Sequence, residues 1–205
     1  MLSILDNKTV NIEEQFQKAI QDEKFLSEIL EGLLSKQETI RFNCFKISKL
    51  ISEKKPELIY PNWEFLIELI RSKNNFHRVE GLEIIANLAR IDTDKKFENI
   101  FDEYFDLLDI ESTMTSAKLA KAAGIIAKAR PELQLKITKK LLGIEKTHHK
   151  SERKDLIKAS IIESFDNYFE EAENKEEILE FIKKQLKAKS PKTIKMAKSF
   201  LKKWN

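Results

Sequence analysis

The stretch AKLAKAAGIIAKARPE, residues 117–132, decides the fold. It carries six alanines, one glycine and four basic residues, with no acid until Glu132. Small side chains let helix axes approach each other, so Ala120, Ala122, Ala123, Gly124 and Ala127 mark a helix with close neighbours on several sides rather than one lying on a membrane. A central helix of this kind calls for similar helices around it, and the rest of the chain supplies them.

Helices of the same character follow each short polar break. They read RFNCFKISKLI from Arg41, RVEGLEIIANLA from Arg78, KLAKAAGIIAKA from Lys118, DLIKASIIESF from Asp155 and TIKMAKSFLKKW from Thr193. The pair Ile84-Ile85 returns as Ile125-Ile126, a step of 41, and as Ile161-Ile162, a step of 36. Between them run more plainly amphipathic segments. Phe97, Ile100, Phe101, Tyr104, Phe105 and Leu108 recur at three- and four-residue steps, as do Trp63, Leu66, Ile67 and Ile70. The separating breaks, SKQET (35–39), SKNN (72–75), ESTMTS (111–116), THHKSE (147–152) and KAKSP (187–191), are long enough to turn a helix back on its neighbour and too short for domain linkers. Pro56 and Pro131 sit where a next helix should begin, and Ser190-Pro191 reads as an N-cap followed by a first-turn proline. Pro61 would fall inside a helix begun at Pro56, so a kink or restart is expected there.

A repeating helix pair of this length is the mark of an α-solenoid. In its first-helix prolines, its basic residue early in the second helix (Arg41, Arg78, Lys118) and the small-plus-aliphatic core that follows, the chain resembles the HEAT and armadillo-like repeat families. The resemblance implies an all-α fold, an α-α superhelix of about five antiparallel helix pairs forming a single domain over 1–205, with second helices on the concave side.

Composition agrees with an all-helical chain. Of 205 residues only four are Gly and four Pro, few for the turns of a β protein. Charged residues make up 35%, but 37 basic and 34 acidic side chains nearly cancel, so bulk charge selects no partner. Cys44 is the only cysteine, which excludes an intrachain disulfide and suits a reducing compartment. MLSILDNKTVNIEEQFQ at the N-terminus does not read as a secretory signal, and no run is long and apolar enough to span a membrane. A cytoplasmic protein is expected, with its oligomeric state open.

No catalytic signature appears: no phosphate-cradling glycine loop, no metal-ligand spacing, no nucleophile elbow. His148-His149 has no third ligand at a recognisable spacing, His77 reads as a capping or surface residue, and Cys44 reads as a small core residue, so neither metal nor cofactor is expected. Alkylation-repair DNA glycosylases share HEAT-like repeats and a basic concave face, but none of their pocket residues can be carried onto this chain; Trp63 falls on an apolar face.

Function is therefore sought on surfaces. Residues 92–111 have a net charge of −6 and 117–130 of +4, which predicts an acidic convex and a basic concave face. From Lys183 onward there are nine lysines and no acid, with Lys195, Lys198 and Lys202 in one stripe of the last helix. The expected function is a non-enzymatic scaffold that holds an acidic segment of a protein partner through Arg41, Arg78, Lys118, Lys121, Lys158, Lys195, Lys198 and Lys202. The alternative is nucleic-acid binding along the phosphate backbone by the same residues, in a DNA-repair setting. Trp204, on the apolar stripe, is expected to be buried rather than to stack on bases.

Overall fold

The structure, a computed structural model, describes residues 2–204. They form eleven α-helices joined by 3-10 turns and short loops, with no strand among the described residues. The chain parts into two compact units between Ile91 and Asp92.

The first unit holds α1 (Ile12–Ala19), α2 (Glu23–Glu31), α3 (Glu38–Lys54), α4 (Trp63–Arg71) and α5 (Asn75–Leu88). Asn11, Asp22 and Asn74 cap α1, α2 and α5, accepting from the backbone N–H groups of Glu14, Phe25 and Phe76. Pro56 opens a 3-10 turn rather than an α-helix, a second turn carries Pro61, and α4 starts only at Trp63, so the chain restarts at Pro61 as expected. The α5 helix is buried nearly all round by Val79, Leu82, Ile84, Ile85, Ala86 and Leu88. Gly81 permits this: a Cβ there would lie 2.9 Å from Ile70 Cγ2 and 3.0 Å from the Leu66 carbonyl oxygen of α4.

Polar pairs step in the same order up α3 and α5, so the two helices run parallel. Arg41 meets Glu80 at 3.3 Å, Lys49 meets Glu83, and Asn87 Nδ2 donates to Ser52 Oγ at 2.9 Å.

The second unit holds α6 (Lys96–Asp106), α7 (Thr113–Ala129), α8 (Gln134–Leu142), α9 (Ser151–Asp166), α10 (Lys175–Lys184) and α11 (Pro191–Trp204). Asp92 lies before α6 rather than on it, accepting from the N–H groups of Lys96 and Phe97 at 2.9 and 2.8 Å. Buried Arg130 joins this turn, reaching Asp92 at 3.3 Å and both Glu98 and Glu132 at 2.6 Å. The α7 helix packs most extensively on α9. Its contacts rise in order, from Ser116 with His149 to Gly124 with Ser164, so these helices too run parallel. A Cβ at Gly124 would stand 2.7 Å from the Ser164 Cα and carbonyl oxygen, and only glycine allows backbones this close. The α9–α11 seam is parallel as well: Thr193 Oγ1 donates to the Asp155 carbonyl, and Trp204 Nε1 to Asp166 Oδ1 at 2.6 Å. Ser190 caps α11 as expected, accepting from Thr193 N–H at 3.3 Å.

Helices α3, α5, α7, α9 and α11 start at 38, 75, 113, 151 and 191, steps of 37 to 40. Counted from these starts, Ile84 corresponds to Ala122 and Ser160, not to Ile125 and Ile161. Burial agrees for α7, where Ala122 is buried like Ile84 whereas Ile125 is 38% exposed. The Ile-Ile pairs therefore marked the right kind of helix in the wrong register.

Candidate binding surfaces

Of the eight basic residues read as one surface, two are buried and paired within their own units. Arg41 is buried against Glu80, with its guanidinium 4.7 Å from the Phe76 ring. Lys158 is buried between Glu145 at 2.6 Å and Asp155 at 3.3 Å. Both are consumed inside their own unit, because a buried cation requires a partner there. Arg78 is half-buried and donates to Asn75 Oδ1 at 3.0 Å.

Lys118 and Lys121 are exposed on α7. The exposed positions of that helix are Met114, Lys118, Lys121, Ile125 and Lys128, spaced 4-3-4-3, so they fall in one stripe. The stripe covers about 21 Å at 1.5 Å per residue. Its apolar members, Met114 and Ile125, are 42% and 38% exposed, and Leu156 on neighbouring α9 is 45% exposed. Lys121 reaches across to Glu163 of α9 at 2.5 Å. Sequence reasoning missed Met114, Ile125, Lys128 and Leu156 as surface groups. The 4-3-4-3 spacing was the available signal, but Ile125 reads in the sequence as part of a repeat of the Ile84-Ile85 pair.

Lys195, Lys198 and Lys202 are exposed on α11, opposite its buried residues Thr193, Ala197 and Phe200. They face away from the helices that α11 packs on. The flank beside α9 carries Lys203, paired with Asp166 at 2.9 Å, and Trp204. Trp204 is half-buried against Phe169 and Phe200, so it belongs to the core edge.

The basic excess belongs to the second unit. Across α7, α9 and α11 there are eleven Lys or Arg against four acids, Glu152, Asp155, Glu163 and Asp166; across α6, α8 and α10 the balance is seven to seven. The acidic character expected of first helices holds for α6 and fails for α8, which carries Lys136, Lys139 and Lys140 and no acid. Lys140 pairs with Asp102 at 2.8 Å and holds that carboxyl below its usual range. In the first unit, α3 and α5 carry five basic residues against four acids.

The loops before α7 and α9 enclose an open cavity of about 710 Å³, lined by Ile110, Glu111, Met114, His148, Lys150 and Arg153 among others. Asp109 receives the His148 backbone N–H at 2.6 Å and its Nδ1 at 2.7 Å. Burial raises the Asp109 pKa, but these hydrogen bonds outweigh it and hold the carboxyl below the usual range. His149 also lines the cavity, with its Nε2 donating to the Leu108 carbonyl at 3.1 Å. No group of three or more ligating side chains suited to a metal occurs among the described residues. Cys44 is fully buried and its thiol is pushed up to about 12 by burial and by Glu80, which leaves no thiolate for nucleophilic attack. His77 Nδ1 bonds Ser72 Oγ at 3.1 Å and is half-buried. No helix among the described residues is long and apolar enough to cross a membrane.

Among solved structures, the chain is similar to an engineered protein whose crystal structure was determined by the Northeast Structural Genomics Consortium, with a TM-score of 0.52 and 18% identity over 98% of this chain and 85% of that one. At that identity the likeness bears on the fold alone. No family model matches the chain, and no curated protein matches it.

Proposed function

We propose that this is a non-enzymatic binding module of the HEAT/armadillo-like repeat class whose α7 stripe holds an acidic segment of a protein partner. The regular helix starts and the parallel second helices within each unit support the repeat class. The observation that carries the function is the composition of the stripe: three exposed lysines interleaved with two exposed apolar residues on a helix without a single acid. Lysines attract carboxylates, while Met114 and Ile125 give a partner apolar area to cover, which a phosphate backbone does not use. Lys118 and Lys121 keep their place in the contact set, Lys128 joins it, and Arg41 and Lys158 leave it as fold residues. A cytoplasmic setting suits the single buried thiol.

A second reading rests on α11. Lys195, Lys198 and Lys202 form a row without apolar residues between them, exposed and without an ion pair among the described residues. This is the arrangement for phosphates, held by charge and counterion release. The two readings separate by charge reversal. Lys118→Glu with Lys121→Glu is expected to abolish capture of acidic protein segments, and Lys195→Glu with Lys198→Glu and Lys202→Glu to leave it intact. Titration against duplex and single-stranded nucleic acid at about 50 mM salt checks the alternative, where phosphate binding is strong and falls steeply as salt is added.

A further inference from the structure

The α7 stripe has the geometry of a helix-packing ridge. Exposed positions recurring at 4-3-4-3 follow the 3.5-residue period on which one helix lies along another, whereas an extended peptide would meet a period of two. Met114 and Ile125 are eleven residues apart, about 16 Å along the axis, and Lys118 and Lys121 lie between them. One of these lysines is already engaged by a carboxylate of the chain itself. Glu163 of α9 contacts Lys121 at 2.5 Å, and both side chains remain partly exposed, at 54% for Lys121 and 36% for Glu163. An exposed pair of this kind contributes little to stability, so a competing carboxylate can exchange with it at small cost.

We infer that the occupant is an acidic amphipathic helix of a partner protein, lying along α7 with apolar side chains over Met114 and Ile125 and carboxylates on Lys118, Lys121 and Lys128, the one at Lys121 displacing Glu163. This rests on the α7 reading above and adds to it the partner's conformation, its spacing and an internal competitor. The open cavity beside Met114, whose lining includes Ile110, Lys150 and Arg153 as well as Asp109 and Glu111, receives the end of that helix.

The test uses the full chain and three labelled probes in fluorescence anisotropy. They are an acidic helical peptide of about 20 residues with two leucines about eleven positions apart, a scrambled peptide of the same composition, and a single-stranded oligonucleotide. The patterned helix is expected to bind at least about tenfold tighter than the scramble, a factor set by the two apolar contacts. Met114→Ser with Ile125→Ser, both at exposed positions, is expected to erase that preference and leave the scramble's affinity unchanged. Glu163→Gln is expected to tighten the patterned helix by releasing Lys121; unchanged or weaker binding overturns the displacement. Equal binding of both peptides overturns the helical occupant while leaving the basic stripe as the capture surface. Binding of neither peptide, or of the oligonucleotide above both, overturns the inference and the α7 reading together.

Discussion

The two units use charge on their second helices in opposite ways. In the first, α3 and α5 lock their charges to each other: Arg41 on Glu80 and Lys49 on Glu83, with Asn87 on Ser52 completing the ladder. In the second, α7 offers three lysines and no acid to a neighbour, α9, whose acids are largely claimed by Lys158, Lys121 and Lys203. The first seam is closed by its own residues; the second leaves positive charge exposed. Similar helices therefore bury their charges against each other in one unit and carry lysines at the surface in the other.

The largest expected effect tests cohesion where it depends most on a single residue. Arg130 holds three carboxylates, one of which, Asp92, is buried, and Arg130→Ala removes the guanidinium that stands 3.3 Å from it. A loss of about 3–5 kcal/mol is expected by chemical denaturation. Arg41→Ala should cost distinctly less, because Glu80 can take up a proton when its partner is gone: burial already pushes Glu80 up to about 8 against the pull of Arg41. Equal losses at the two sites would break this comparison.

Packing comes next. Gly124→Ala places a methyl against the α9 backbone, which cannot swing aside as a side chain would, and a loss of about 1–3 kcal/mol is expected in thermal or chemical melts. Gly143→Ala, with nothing within 4 Å of the added carbon, is the matched control and should change stability little.

A smaller effect sharpens the account of the closed seam. The Glu80 carboxyl ionises near pH 4.3 in an unfolded chain and at about 8 when folded, so the unfolded state loses its proton first and stability falls as pH rises through that window. Glu80→Gln should remove this slope, gaining on the parent protein at about pH 8 relative to about pH 5. An unchanged slope between about pH 5 and pH 8 would show instead that Arg41 holds Glu80 ionised in the folded protein.

The all-helical class and the restart at Pro61 were legible in the sequence because they follow from local chemistry: apolar spacing, few glycines and proline's missing N–H. The register was not. Ile84-Ile85 and Ile125-Ile126 look alike as letters, but burial depends on which neighbour each helix meets, and Gly124 rather than Ile125 faces α9. Site residues failed in the same way. Lys158 and Lys121 are both lysines on second helices, yet one lies between Asp155 and Glu145 and the other at the surface. Periodicity shows which residues share a face, whereas only packing shows whether that face is covered.

The most direct measurement compares two charge-reversed proteins with the parent for capture of an acidic peptide at low and high salt. Lys118→Glu with Lys121→Glu is expected to abolish capture, while Lys195→Glu with Lys198→Glu and Lys202→Glu retains it, all three proteins melting alike because every altered side chain is exposed. Capture that survives reversal on α7 and disappears on reversal of α11 would contradict the assignment of recognition to the α7 stripe.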